Sequence, residues 1–348
     1  MFTCTMSGAI GREQAVRDPM SLEASGRRRP GGAVGVRHHF LVIPSVLCAA
    51  QAAHMMAEGI PGGVAIEHQH GCSQLGGDAR LTEQILTGLG THPNVAGTLV
   101  VSLGCETVQG ILLHRAIQHR GQRAEFVGIQ QAGGTLAATQ AGREALVRLR
   151  DAASADPVVP ISWGDLRVGI EATWLSIRPA QAAVFARVID DLLSRGATVI
   201  QAVPAAEGGG GGVVDIAPVS SLPGLDGRRA DTISYATPTI AAGLVLMPAP
   251  ETRIAQKTGL AAAGAHVILS PLVDGLPAGC PVAPVVHVGI APYARSFAGD
   301  VEAMLDEEPG PGAAQVALGA LAAACRDETA TELLGTFEMA IHRIAPTM

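Results

Sequence analysis

Short β-branched runs alternate with alanine-rich segments of helical length along nearly the whole chain, and this alternation limits the fold more than any other feature. It is the βαβα pattern of a mostly parallel sheet. In the first half, strands are expected at "HFLVIP" (39–44), "GVAIEH" (63–68), "GTLVVSL" (97–103) and "EFVGIQ" (125–130), with helices over 46–58, 79–90, 107–119 and 135–150. The run "DAASADPVVP" then shifts composition and marks a lobe boundary near residue 155. The second half repeats the alternation, with strands over 166–171, 197–203, 265–270 and 284–290 and helices over 179–195, 251–263, 296–306 and 313–327. A length of 348 residues exceeds what one small core organises. The expected fold class is therefore α/β: two lobes, 36–155 and 156–348, each a mostly parallel Rossmann-like sheet flanked by helices, behind a disordered leader over 1–35. The openings "VIPSVLCAAQAAHMM" and "VGIEATWLSIRPAQAAVFARV" share a strand, polar turn and helix layout, a weak sign of two related lobes.

Charge and cysteine usage narrow the function classes. A formal net charge of -7 argues against nucleic acid or an anionic membrane as partner. Lys257 is the sole lysine, so arginine and histidine are left to handle anions, and arginine suits bidentate carboxylate recognition. No apolar run serves as a signal-peptide core or is long enough to cross a bilayer. The six cysteines lack CxxC spacing and read as reduced thiols, which fits a cytoplasmic protein. The five glycines of "AAEGGGGGVV" have no GKS/T after them and read as a flexible loop rather than a phosphate cradle. The expected partner is a small hydroxy acid, with self-association into a homo-oligomer left open.

Chemistry concentrates at the ends of the first four strands, where parallel α/β sheets bind ligands. Ser45 and Cys48 follow the first strand; His68, His70 and Cys72 the second; Cys105 and Glu106 the third; Gln130, Gln131 and "AGGT" the fourth. In "EHQHGC", extended backbone sends residues i, i+2 and i+4 to one side, so His68, His70 and Cys72 face one point if the chain stays extended through Gly71. Imidazole, thiolate and carboxylate together suit a borderline divalent transition metal better than magnesium or calcium. The plainer reading is that a strand-end histidine is a satisfied polar residue and a buried cysteine a small hydrophobe. Clustering at four successive strand ends favours a binding or catalytic site.

Several motifs, in order, resemble the altronate and galactarate dehydratase family, which includes a sulfolactate sulfo-lyase subunit: "GGAVGVRHHFLVIPSVLCA" (31–49), "EHQHGCSQLG" (67–76), "HPNVAGTLVVSLGCE" (92–106), "IQQAGGT" (129–135), "TGLAAAGAHVILSPLVDGLPAGCPVAPVVHV" (258–288), "FAGDVEAMLDEEPG" (297–310) and the closing "GTFEMAIHR". The resemblance implies elimination of water, or sulfite, from a 2-hydroxy acid, with Fe2+ or a similar divalent metal such as Mn2+ or Zn2+. On that reading His70, Cys72, Cys105 and Glu106 lie nearest the metal, with His68, His70 and Glu171 as catalytic residues. Arg37 forks onto a substrate carboxylate, and Ser45, Gln130, the Gly133 and Gly134 amides and Arg295 hold the rest of the substrate.

The chain departs from the family pattern in its second half. Where the family reads Glu-Cys-Gly-Gly-Ser-Asp, "EATWLS" (171–176) keeps Glu171 and puts Ala172 in place of the cysteine. "VPAAEG" leaves Glu207 where the family has an acidic pair, and 204–240 is too short for a polar family segment. His287, Tyr293 and Arg295 stand as replacement polar groups, His287 equally as a packed residue among valines, and Trp174 either packs or walls a smaller pocket. The alternative to a lyase is a catalytically impaired relative that binds a metabolite or serves as a subunit.

Overall fold

The computed structural model describes residues 22–205 and 224–343, so Glu207 and the five-glycine run lie outside the described residues. β1 (Ala24–Arg28) and β2 (Val34–Gly35) come first. The first lobe follows as β3 (His39–Pro44), α1 (Ala50–Ala57), β4 (Gly63–Ala65), α2 (Gly76–Gly90), β5 (Val95–Ser102), α3 (Gly110–His119), β6 (Ala124–Gly128) and α4 (Thr135–Ala153). Its four strands pair in the order β4-β3-β5-β6, all parallel. Every residue of β5 is buried, as expected for a strand covered by helices on both faces.

The second lobe comprises β7 (Val158–Ile161), β8 (Arg167–Ile170), α5 (Pro179–Ser194), β9 (Thr198–Pro204), β10 (Ala230–Thr232), β11 (Leu244–Ala249), α6 (Arg253–Ala262), β12 (Val267–Leu272), β13 (Val285–Ile290), β14 (Ala303–Leu305), α7 (Ala313–Ala324) and α8 (Ala330–Leu334). Seven strands form a parallel sheet in the order β10-β11-β9-β8-β12-β13-β14. The fold is α/β in two lobes, each a parallel sheet flanked by helices.

Two expectations need correction. Residues 24–35 are no leader: β1 pairs antiparallel with both β2 and β7, and together they make a small sheet at the lobe junction. The helix expected over 296–306 is a 3-10 turn (Tyr293–Phe297) followed by β14, whose Ala303 and Leu305 are buried in the period of two that a strand imposes. β11 lies outside the expected strands; its Pro248, near the strand's carboxyl end, pairs with Val203 of β9.

In each lobe the first long strand has neighbours reached in opposite directions, β3 between β4 and β5 and β8 between β9 and β12. These are the topological switch points at which open parallel sheets form a crevice. The lobes share one apolar core, in which Ile85, Leu86 and Leu89 of α2 meet Leu260, Ala261 and Ala262 of α6. At the contact, a Cβ on Gly88 would lie 2.5 Å from the Ala262 carbonyl oxygen, so only glycine permits this approach. Polar pins sit at the edge of that core. His92 Nε2 donates to Ala265 O at 2.9 Å, and Asn94 Nδ2 donates to His266 O at 3.0 Å and Val282 O at 2.9 Å.

Candidate active site

A carboxylate occupies the switch point of each lobe. In the first, Glu106 accepts hydrogen bonds from Ser45 Oγ at the end of β3 (2.8 Å), from Ser102 Oγ at the end of β5, and from the Gly104 amide (2.7 Å). Burial pushes the Glu106 carboxyl up, but these hydrogen bonds outweigh it and hold its pKa below the ordinary value. Gln130 reaches the same loop: its Oε1 lies 2.5 Å from where a Cβ on Gly104 would stand. Three predicted residues, Ser45, Glu106 and Gln130, are thus brought together.

The histidine motif folds differently from its expectation. His68 and His70 face inward and Glu67 and Gln69 outward, the alternation of extended chain. Gly71 then takes φ +98°, close against the Ser45 carbonyl, and the turn throws Cys72 outward, exposed beside Ser73. Cys105 is exposed as well. Both ring nitrogens of His68 are committed, Nε2 donating to Pro44 O (2.7 Å) and Nδ1 accepting from the His70 amide (3.2 Å), which leaves neither for catalysis or ligation. His70 Nε2 donates to Ile341 O at 3.1 Å. Among the described residues no group of three or more His, Cys, Asp or Glu could hold a metal ion. As arranged, His70, Cys72, Cys105 and Glu106 do not fit one divalent metal.

Other predicted contacts are also engaged within the protein. Arg37 forms a two-pronged ion pair with Glu332, Nε to Oε1 at 2.7 Å and Nη2 to Oε2 at 2.8 Å, and caps the Ala324 and Asp327 carbonyls. It is a structural clamp rather than a substrate fork. The Gly133 and Gly134 amides donate to Gln130 O and Ile129 O, closing their own turn instead of offering free donors. Arg295 is exposed on the 3-10 turn after β13. Trp174 is fully buried, donates to Gln201 Oε1 and stacks on Phe185, so it packs the core and walls no pocket.

In the second lobe Glu171, fully buried just past β8, accepts from Arg253 Nε (2.6 Å), Ser270 Oγ (2.5 Å) and Thr173 Oγ1 (2.7 Å). Arg253 opens α6, and its Nη2 also donates to Ser270 Oγ and Pro271 O. Its third edge, Nη1, meets Asp274, whose side chain is 74% exposed. One helical turn on, Lys257 is buried and donates to Ala278 O at 2.8 Å. Burial lowers its pKa, with Glu171 opposing. Arg253, Ser270 and Lys257 were not singled out as site residues. The readable signals were a basic residue opening a helix after a strand, and the chain's single lysine.

Comparison with known proteins agrees with this frame. Residues 26–154 match the family model described as "D-galactarate dehydratase/Altronate hydrolase, second domain", and residues 226–305 match "D-galactarate/Altronate dehydratase, C-terminal". Altronate dehydratase of Bacillus subtilis is 32% identical over 157 residues, 42% of this chain and 31% of that protein. Altronate dehydratase of Escherichia coli is 32% identical over 155 residues, 41% and 31% of the two chains. The (2R)-sulfolactate sulfo-lyase subunit beta of Chromohalobacter salexigens is 38% identical over 78 residues, 22% and 20%. The matched part thus spans about a third or less of the length of these relatives. With two domain models of the family matched in order along it, the chain belongs to the D-galactarate/altronate dehydratase family.

Proposed function

We propose that this chain is a lyase that eliminates water from a 2-hydroxy acid of the sugar-acid type at the second-lobe switch point. The observation that carries the reading is Arg253, held beside Ser270 by a fully buried glutamate in a chain of a dehydratase family. Glu171, Ser270 and the Pro271 carbonyl fix two edges of the guanidinium. Among the described residues the Nη1 edge is paired only with the side chain and carbonyl of the exposed residue Asp274. An exposed pair of this kind contributes little, so an incoming carboxylate can take that edge. Anchoring the carboxylate there acidifies the neighbouring C–H, because negative charge builds up on it as the proton leaves. In the first lobe, exposed Gln130 offers an amide to a substrate hydroxyl next to the ionised Glu106.

The test is formation of a 2-oxo acid from a panel of tetronic, pentonic and hexonic acids, with sulfite release from sulfolactate as a further arm. The wild-type protein is expected to turn over at least one acid, and Arg253→Gln to raise KM by about 10- to 100-fold with a smaller fall in kcat. No 2-oxo acid and no sulfite from any member of the panel refutes the lyase reading.

A further inference from the structure

β13 carries a histidine in the middle of an apolar strand, "VVHVGI", and it is fully buried. Among the described residues neither ring nitrogen of His287 has a hydrogen-bond partner at ordinary hydrogen-bond distance. Leaving a buried imidazole unpaired carries a desolvation cost of about 1 to 3 kcal/mol, which a strand among valines has no packing reason to bear. Its surroundings are organised. Glu302 approaches from the segment before β14: its Oε2 accepts the His287 backbone N–H at 2.7 Å and lies 3.7 Å from Nδ1, while Oε1 accepts the Ala330 amide at 2.8 Å. The carboxylate is thereby fixed against one side of the ring. On the other strand flank, His287 sits in register beside Ser270 of β12, so the two side chains leave the sheet on the same face. Ser270 is the residue that holds Glu171 and Arg253.

We propose that His287 and Glu302 form the acid–base dyad of the second-lobe site, with Nε2 as the atom that removes the C2 proton of a 2,3-dihydroxy acid. The proposal rests on the lyase reading above. A carboxylate facing Nδ1 selects the tautomer protonated there, which leaves the Nε2 lone pair as acceptor. A distance of 3.7 Å is loose, as such contacts commonly are before substrate binds. The charged groups that face the ring are Glu302 from the β14 side, Lys257 from α6 and Glu171 from the end of β8. Burial lowers the His287 pKa and Glu302 opposes it, so the base is neutral and competent near pH 7. In the reaction the C2–H bond breaks and an Nε2–H bond forms. The freed electron pair becomes the C2=C3 bond as C3–O breaks. The imidazolium returns its proton to the departing hydroxide, releasing water and the enol that ketonises to the 2-oxo acid.

The experiment compares wild type, His287→Gln and Glu302→Gln on any acid the panel identifies, alongside ring 15N NMR of histidine-labelled wild-type protein titrated with the same acids. Expected are a fall in kcat of about 100-fold or more for His287→Gln with KM nearly kept, and a smaller fall for Glu302→Gln with the acidic limb of its pH profile displaced. A ligand-dependent shift of the His287 Nε2 resonance is also expected, and it needs no variant to fold. Wild-type turnover with His287→Gln folded and within about threefold of it overturns the dyad and leaves the lyase reading standing. Absence of wild-type turnover overturns the lyase reading; the Nε2 resonance then decides the site, a shift on adding acid keeping His287 as a ligand contact and none overturning it as well.

Discussion

Acidification from pH 7 to pH 5 should weaken the joint between the lobes through His92. This imidazole is 1% exposed, and both its nitrogens are used, Nε2–H on Ala265 O and Nδ1 accepting the Asn94 amide at 3.0 Å. A second proton must go to Nδ1, where it meets an N–H instead of a lone pair. Burial, the largest cause, takes the pKa from 6.5 down to about 3, while the bond to Ala265 opposes the fall. The folded pKa is therefore below the unfolded one. The unfolded chain binds the extra proton first, and stability falls as pH drops below 6.5, a loss that continues down to the folded pKa. Between pH 7 and pH 5 this single group costs about 2 kcal/mol. Paired carboxylates such as Asp156 and Glu332 are also held below their ordinary values, but they lose their contribution at lower pH. Urea midpoints measured across the window for wild type and His92→Gln isolate the contribution, since the other buried histidines are common to both. Parallel pH slopes in the two proteins, or a folded His92 that titrates near its ordinary value by NMR, refute the reasoning.

Four further outcomes follow from other sites. Gly88→Ala puts a methyl against the Ala262 carbonyl and should cost about 1 to 3 kcal/mol in chemical denaturation, because backbone of both lobes has to move. Arg37→Leu strands Glu332, whose side chain is 10% exposed, and should cost about 3 to 5 kcal/mol with little change in the KM of any acid turned over. Gly71→Ala combines φ +98° with a clash against Ser45 O, and loss of soluble protein or of several °C in Tm is expected. In anaerobically purified protein, elemental analysis should give the same metal content for wild type, His70→Ala and Cys72→Ala, since Gly71 turns those two side chains to opposite sides. A joint loss in both variants would mean that the loops close around an ion.

The alternation that sets the fold was legible because strands buried on both faces must be continuously apolar, and β3 and β13 stand essentially where "HFLVIP" and "PVVHVGI" put them. β1, β2 and β14 were not: β2 and β14 are two and three residues long, too short to carry a pattern, and β1 owes most of its pairing to β7, far along the chain. The first-lobe cluster was readable as strand-end residues, and Ser45, Glu106 and Gln130 do converge. The metal set was not, because the extended-chain argument for "HQHGC" depended on one torsion, and glycine at 71 leaves that torsion unconstrained by sequence. Arg37 reads as a ligand fork from its position, yet its partner Glu332 lies 295 residues away, beyond any spacing argument. Arg253 and Glu302 acquire meaning only once the register places Ser270 beside His287.

The pairing of β1 with β7 has a topological consequence. Arg27 sits opposite Val158, and Arg29 and Arg123 both close on Asp156, so the chain enters and leaves the first lobe at nearly the same place. That lobe is an excursion whose two ends are stitched together at its base. Such a closure joins residues about 130 positions apart, and it can form only after the intervening chain has condensed. The stitch should therefore be among the last contacts made in folding, and a cut within 30–33 should loosen the lobe's foothold while leaving its own four-stranded sheet intact.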